Sequence, residues 1–84
     1  MPNALKESAR VVGTKQSRRA IAEGRAAHVF LAEDADPNLT APLRMLAESM
    51  DVPVSSVASM QALGKACGIL VGSAAAVLIK DPSA

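Results

Sequence analysis

Basic side chains gather at the start of a predicted helix, within residues 13–21 (GTKQSRRAI). Lys15, Arg18 and Arg19 supply positive charge, and the Gln16 amide beside them both donates and accepts hydrogen bonds. Backbone N–H groups at a helix start already carry partial positive charge, so acidic residues are the ones that stabilise that end. Cations at this position therefore indicate an anionic partner for the helix.

The chemistry of this cluster suits a nucleic acid. Lys and Arg bind phosphates or guanine acceptors, and Gln pairs a donor and an acceptor with a base edge. Lys15, Gln16 and Arg19 lie on neighbouring helix faces, because offsets of three and four residues bring side chains together. The pattern predicts an RNA or DNA reader, while a solvated helix with incidental basic residues is the alternative reading of the same charges.

Other chemistry-bearing residues do not form an enzyme site. The phosphate-binding loop pattern around Gly64-Lys65 fails, because Ser59 stands where a Gly is needed and Ala66 where a Ser or Thr is needed. Glu33 and Asp34 are adjacent in an extended segment, so their side chains point to opposite faces and do not share a substrate.

Cys67 and His28 are the single cysteine and the single histidine, too few nitrogen and sulfur ligands for a structural zinc site. We expect Cys67 to be a buried, inert thiol and His28 to be a structural histidine. The sequence therefore predicts no enzyme activity, no metal and no cofactor.

Composition limits the class of protein further. The chain has 84 residues, which predicts a single domain over residues 1–84, with a core over about residues 5–79 and a short flexible tail at 80–84. Phe30 is the only aromatic residue, which argues against recognition of single strands by base stacking. The longest apolar run, residues 68–79, is too short for a membrane span of about 20 residues. One cysteine and no leader segment favour a reducing cytoplasm.

Charge is distributed unevenly along the chain. Residues 1–28 contain six cations and two anions, a balance of +4, and residues 29–84 contain three cations and six anions, a balance of −3. One face is therefore expected to be basic although the net charge is only +1.

Helical and extended patterns alternate. A short helical start around Leu5 and Ala9 leads to a strand at Val11 and Val12, and Gly13 and Thr14 provide the joint and N-cap of a helix that runs to about Glu23. Ala20, Ile21 and Ala27 are expected to face inward, with Gly24 ending this helix. The remaining predicted elements are a central strand over residues 28–34, a helix from the Asp36-Pro37 start to about Asp51, a strand over residues 52–58, a helix from Ser59 to Gly68 and a strand over residues 74–80.

Such alternation predicts helices on both faces of a buried sheet. The expected fold is an α/β class, a three-layer α/β/α sandwich with a four-stranded mixed sheet. Phe30 and Leu31 should lie buried on opposite faces of the central strand, with Leu43, Leu46 and Met50 covering one of those faces.

Four ordered blocks resemble a known family. They are Gly-x-x-Gln-x-x-basic from Gly13, Ala-Glu-Asp-Ala-x-Pro from Ala32, Val-Ala-Ser from Val57, and Leu-Gly-Lys-Ala-Cys-Gly from Leu63. In this order, over about residues 5–79, the chain is similar to the kink-turn-binding ribosomal protein family, and within it to the short bacterial branch that includes the YbxF and YlxQ proteins.

The resemblance implies a noncatalytic domain that binds kink-turn RNA, a sharply bent duplex with tandem sheared G·A pairs beside a short bulge. The leading expectation is a ribosome-associated protein, and we expect it to be a monomer. Implied contacts are Gly13 and Thr14 against the RNA backbone, Lys15 and Gln16 on the G·A pairs, Arg19 on a guanine or phosphate, Glu33, Asp34 and Ala35 along the same end of the domain, and Val57, Ala58, Ser59 and Met60 over bulged nucleotides.

Two departures bear on base readout. Archaeal members of the family usually carry Asn-Glu where this chain has Lys15-Gln16, and Lys where it has Arg19. Gln16 keeps one acceptor and adds a donor, and Lys15 adds attraction with little base specificity. A protein-interaction domain, with the basic helix meeting an acidic protein surface, is the alternative function.

Overall fold

The computed structural model describes residues 10–69 and 71–80. Helices and strands alternate along this part of the chain, as predicted. In order they are β1 (Arg10–Val12), α1 (Thr14–Ala22), β2 (Ala26–Ala32), α2 (Pro37–Ser49), β3 (Val54–Val57), α3 (Met60–Ala66) and β4 (Ala75–Ile79). The helical start predicted around residues 5–9 and the tail at residues 81–84 lie outside the described residues.

The strands form one mixed four-stranded sheet, which confirms the predicted sheet. Their order is β1-β4-β2-β3. β4 runs antiparallel to both of its neighbours, and β2 pairs with β3 in parallel. The predicted central strand β2 is thus an interior strand, flanked by β4 and β3.

Two helices cover one face of the sheet. Ile21 of α1 and Leu43 of α2 are buried in a core with Val29, Leu31 and Val77 of the inner strands. A buried aliphatic side chain contributes roughly 1.5–3 kcal/mol, so these residues supply much of the driving force for the layer. Leu43 and the partly buried Leu46 cover this face of the central strand, as expected.

The third helix covers the opposite face. Leu63 and Cys67 are buried against Ala32 and Ala76, and the partly buried Phe30 packs against this second core. Helices therefore lie on both faces, as the alternation predicted. Full burial of Phe30 was wrong: its ring is only half-buried, and it stacks on His28 with 4.5 Å between the ring centroids.

The ends of α1 follow backbone conformation. Gly13 is the N-cap with φ of 104°, and no side chain caps this end, so the prediction of Thr14 as N-cap was wrong. Thr14 is the first helical residue, because the chain must make a positive-φ turn at Gly13 that glycine adopts without strain. At the other end Glu23 is the C-cap and Gly24 follows with φ of 74°, as predicted.

The start of α2 is confirmed, but its apolar face is narrower than predicted. The Asp36 carboxylate accepts a hydrogen bond from the Asn38 N–H at 2.9 Å, and Pro37 occupies the first turn. Leu43 is buried and Leu46 half-buried, whereas Leu39 and Met50 are exposed, so Met50 does not cover Leu31. Met50 lies at the C-cap, beyond the last helical turn that contacts the sheet.

Strand boundaries shift by a few residues from the prediction. β2 begins at Ala26 and ends at Ala32, so Glu33 and Asp34 belong to a turn instead of the strand. Its register with β4 shifts between Ala26 and His28. This irregularity leaves Ala27 exposed, and the prediction that it faces inward was wrong.

Candidate nucleic-acid interface

One end of the sheet gathers most of the residues singled out in the sequence. β1, β2 and β3 all finish at this end, and the antiparallel β4 begins there. Backbone hydrogen bonds continue the sheet past the strand ends: Gly13 donates to Ala75 at 2.8 Å, Ala32 donates to Ala74 at 2.9 Å, and Glu33 donates to Val57 at 2.8 Å. We call this edge the strand-end surface, formed by residues 13–16, 33–35, 57–60 and 72–75.

The strand-end surface spans the width of the sheet. Gly13 follows β1 and Val57 ends β3, on opposite sides of the sheet order. Three strand spacings of about 4.8 Å place these positions roughly 14 Å apart. The start of α1 thus lies at one side of the surface and the loop before α3 at the other.

The start of α1 presents charge to solvent. Lys15 and Gln16 are exposed on the first turn, while Ser17 faces the core and Thr14 is half-buried. α1 has no acidic residue in its first turn to offset its positive end. The helix start and its side chains therefore form an electropositive site.

Arg19 lies farther from the strand ends. It stands one turn beyond Lys15, about 6 Å along the helix axis. Its guanidinium Nε donates to Oε2 of Glu23 at 3.2 Å, and Arg25 donates to the other oxygen of the same carboxylate at 3.0 Å. These hydrogen bonds, first from Arg25 and then from Arg19, hold the pKa of Glu23 below its ordinary value. The arginine side chain is thus directed toward the C-terminal end of α1, away from Gly13.

The loop at residues 57–60, which we call the apolar loop, is tied to the turn after β2. The Asp34 carboxylate accepts a hydrogen bond from the Met60 N–H, with 2.7 Å between Oδ1 and N. The Ser59 hydroxyl accepts one from the Ala62 N–H at 3.0 Å and caps α3, as predicted. Ala58 and the Met60 side chain are exposed, and Val57 and Ser59 are half-buried.

Sequence reasoning missed the residues that support Met60 from the other side. Ser73 donates its backbone N–H to the Met60 carbonyl at 3.0 Å. A Cβ on Gly72 would lie 3.1 Å from Met60 backbone and side-chain atoms, tighter than an ordinary contact. The Gly72-Ser73 pair was a usable signal, since a loop glycine often marks close backbone approach. Met60 is thus held at both its N–H and its carbonyl.

The turn residues behave differently from one another. Glu33 is exposed, whereas Ala35 is buried in the second core with only 6% of its surface accessible. Asp34 is exposed, yet one of its carboxylate oxygens is occupied by the Met60 N–H. The Glu33 side chain is therefore open to a ligand, whereas Asp34 is open only through its second carboxylate oxygen.

The other candidate chemical groups are placed as structural residues. Cys67 is fully buried, and burial raises the pKa of its thiol against the opposing effect of the Arg10 guanidinium. A nitrogen of His28 lies 2.7 Å from the Ser55 hydroxyl. Over residues 10–69 and 71–80 no three His, Cys, Asp or Glu side chains are grouped to hold a metal ion, and no helix there is long and apolar enough to cross a membrane.

The protein is thus a small α/β domain. It has a mixed sheet with helices on both faces and a basic helix start at one end of the sheet. Residues 1–84 match the family described as the Ribosomal protein L7Ae/L30e/S12e/Gadd45 family. The chain belongs to this family, which confirms the predicted family resemblance.

Relatives and solved structures agree with this assignment. The chain is 51% identical over 70 residues to an "RNA-binding protein" of Geobacillus sp. (strain WCH70), a match that covers 83% of this chain and 85% of the relative. It is 47% identical over 70 residues to "RNA-binding protein YbxF" of Geobacillus stearothermophilus, with the same coverage of 83% and 85%.

Among solved structures, the "Giardia lamblia 15.5kD RNA binding protein" superposes with a TM-score of 0.82 at 30% identity. That match covers 89% of this chain and 63% of the Giardia chain, so this chain spans less than two thirds of that structure. A protein of unknown function from Bacillus halodurans superposes with a TM-score of 0.76 at 27% identity, covering 88% of this chain and 73% of that one.

Proposed function

We propose that this protein is a noncatalytic RNA-binding protein that recognises kink-turn RNA and is ribosome-associated in the cytoplasm. Family membership and the names of two relatives as RNA-binding proteins support the RNA partner. The four sequence blocks support the kink-turn as the form of RNA that is bound.

The observation that carries the proposal is the pairing of two unlike surfaces at one sheet end. A basic helix start and an exposed apolar loop face solvent there, roughly 14 Å apart across the strand ends. A regular duplex offers a basic surface its phosphates but hides its bases in grooves that proteins read poorly. A bent duplex with a bulge offers phosphates and an extruded nucleotide together, which matches both surfaces.

Each part of the strand-end surface has a role in the proposal. Gly13 and Thr14 approach the RNA backbone. A side chain at position 13 would meet no protein atom within 4 Å, but the backbone would be strained at φ of 104°. Lys15 and Gln16 read the G·A pairs, and Arg19 exchanges its Glu23 partner for a guanine or phosphate. The apolar loop covers a bulged nucleotide: Val57, Ala58, Ser59 and Met60 contribute, with Glu33, Asp34 and Ala35 beside them.

Gln16 sets the base readout in this proposal. Its amide accepts a guanine N–H through the oxygen and donates to an acceptor through the nitrogen, a pairing that a carboxylate does not offer. Lys15 contributes as a point charge. The expected consequence is binding that depends more on salt, and less on base identity, than an Asn-Glu pair would give.

The test compares a kink-turn duplex with a duplex of the same length and charge whose G·A pairs are replaced by Watson–Crick pairs. Affinity is measured for both across a salt series. The proposal expects preference for the kinked RNA at every salt concentration, while both affinities fall with salt by a similar slope. Equal affinity for the two duplexes would show that the protein does not recognise RNA shape. The basic helix would then be a general electrostatic surface, as in the alternative function of binding an acidic protein.

Ribosome association needs a separate measurement. Lysate from cells that produce the tagged protein is sedimented through a sucrose gradient, and the protein is expected in the ribosomal fractions and as a monomer when it is free. Gly13→Val keeps every charge but forces a β-branched residue to φ of 104° at the start of α1, so the share of this variant in the ribosomal fractions is expected to fall. Sedimentation of the wild-type protein only at the top of the gradient would remove the ribosome from the proposal.

A further inference from the structure

A second surface lies on the outer side of the helical pair, apart from the apolar loop. A groove of about 980 Å³ runs between α1 and α2. Lys15 and Arg18 of α1 line one wall, and Leu39, Pro42 and Met45 of α2 line the other. We call this surface the α1–α2 groove.

The α2 wall of the groove exposes large apolar side chains. Leu39 is 47% exposed and Met45 is 69% exposed. With Pro42 between them they repeat every three residues, so they form one row along the helix. α2 already buries Leu43 and Ala47 on its sheet-facing side, so this row is not needed to hold the helix on the sheet. A contiguous apolar row that folding does not use indicates a surface that something covers.

Pro42 changes the backbone of the same wall. It lies inside α2 and has no N–H, so it removes the usual helical donor to the carbonyl of Asn38 four residues earlier. Asn38 also lines the groove. The wall therefore combines apolar side chains with backbone that is less completely bonded than in an uninterrupted helix.

The α1 wall is positively charged and has no acidic counterpart in the groove. The residues that line the groove include Lys15 and Arg18 but no Asp or Glu. The ion pairs within the described residues join Glu23 to Arg19 and to Arg25, and they leave Arg18 out. An occupant of the groove thus meets apolar side chains on one wall and cations on the other.

We propose that the α1–α2 groove binds an acidic amphipathic helix of a partner protein. An amphipathic helix places apolar residues at offsets of three and four, which match the row of Leu39, Pro42 and Met45. Carboxylates flanking that apolar face meet Lys15 and Arg18. RNA fits this surface less well, because the Asn38 amide is the one side-chain donor that α2 offers to phosphates in the groove and no aromatic side chain lines it on which a base could stack.

The experiment is a selection from a displayed library of random peptides, using the full chain as bait. Peptides bound by the wild-type protein are sequenced and then titrated individually against the wild-type protein and its variants. The selected peptides are expected to carry Leu or Ile at helical spacing, flanked by Asp or Glu. Their affinity, measured by titration, is expected to fall at least about tenfold for Met45→Glu and for Arg18→Glu.

Matched controls separate the groove from the rest of the surface. Met50→Glu introduces the same charge at another exposed methionine, at the C-cap of α2 and outside the groove, and is expected to leave peptide affinity unchanged. Arg44→Glu is the matched control for Arg18→Glu, because Arg44 is an exposed arginine of α2 that does not line the groove, and it should also leave peptide affinity unchanged. Both groove variants change exposed side chains, so melting temperature should stay close to the wild-type value.

Three results would overturn the proposal. One is a selection that returns no peptide sensitive to Met45→Glu, or returns basic peptides. Another is a titration with kink-turn RNA in which the methyl signals of Leu39 and Met45 shift as strongly as those of Met60, which would assign the groove to RNA. The third is concentration-dependent dimerisation of the wild-type protein that Met45→Glu abolishes. The α1–α2 groove would then bind a second copy of this chain. Peptide binding is measured without RNA, so its failure is distinct from a failure of the RNA proposal.

Discussion

The Asp34 carboxylate accepts a hydrogen bond from the backbone N–H of Met60, although the two residues are 26 positions apart in the chain. This contact joins the turn after β2 to the first residue of α3. Asp34 thereby acts on the strand-end surface through Met60, because it fixes the backbone that presents the Met60 side chain. A preorganised loop loses less conformational entropy when it binds a ligand.

We expect Asp34→Ala to loosen the apolar loop. Loss of the acceptor leaves the Met60 N–H to water, so the free energy of unfolding should fall by about 0.5–1.5 kcal/mol. Hydrogen exchange at the Met60 amide should become faster, as measured by NMR on the free protein. Asp34→Asn keeps an oxygen acceptor and should restore most of the protection.

Glu33→Ala is the matched control for the hydrogen-exchange measurement, since it removes the neighbouring exposed carboxylate, keeps the Met60 hydrogen bond and should leave exchange at the Met60 amide unchanged. Kink-turn affinity should fall for Asp34→Ala and not for Asp34→Asn. If Ala and Asn at this position both strengthened RNA binding equally, repulsion from phosphate would explain Asp34 and the positioning role would be wrong.

Arg19→Ala tests the helix contribution to RNA binding. We expect kink-turn affinity to weaken by about 1–3 kcal/mol, because a phosphate or guanine contact is lost. Stability should change little, since the Arg19–Glu23 ion pair is exposed and such pairs contribute little. Titration of Arg44→Ala, which removes an exposed arginine of α2, is the control. Equal affinity losses in the two variants would remove Arg19 from the site.

The two faces of β2 predict different mutational effects. Leu31→Ala should lower the free energy of unfolding by about 2–5 kcal/mol, because it opens a cavity in the core under α1 and α2. Phe30→Ala should lower it by less, since its ring is half-buried and stacks on His28. Denaturant unfolding of both variants measures the difference. A larger loss for Phe30→Ala would reverse this ranking of the two cores.

Local signals in the sequence predicted the elements and most of their ends. Asp36, Ser59 and Gly24 act where predicted, because caps and positive-φ glycines depend on a few neighbouring residues. The alternation of apolar helices and strands likewise specified a sheet covered on both faces. Thr14 failed as a cap because Gly13 alone makes the turn from β1.

Features that depend on distant pairing were not predictable from local patterns. The exposed Ala27 results from the register between β2 and β4, and the exposure of Met50 depends on how far α2 extends over the sheet. The Asp34–Met60 contact and the close approach of Gly72 join segments far apart in the chain. For the candidate site, the sequence thus identified the residue types at the strand ends but not the backbone contacts that fix them.

Cys67 should be chemically silent in the folded protein. Its thiol is fully buried and its pKa is raised, so both access and thiolate fraction are low at neutral pH. We expect reaction with a thiol reagent only as fast as the protein opens, and much faster in denaturant. Because the raised pKa stabilises the folded state below the thiol's ordinary pKa, that contribution should decline as pH rises above about 9. Cys67→Ala should lack this decline, and rapid labelling of the native protein would contradict burial.

Met60→Asp tests whether the apolar loop recognises RNA shape. Met60 is 37% exposed and lies at the start of α3, where the helix favours a carboxylate but the neighbouring Asp34 carboxylate repels one, so the free energy of unfolding should fall only slightly. Affinity for kinked RNA should fall by about 1–3 kcal/mol, and more than affinity for the plain duplex, because apolar contact is lost at the bulge as well as charge being added. Met50→Asp adds the same charge at a methionine that is 40% exposed and should have a smaller effect on both RNAs. Equal losses for the two RNAs would mean that position 60 affects only the electrostatic potential of the surface. Unfolding of the variant would mean that Met60 is needed for packing of the core.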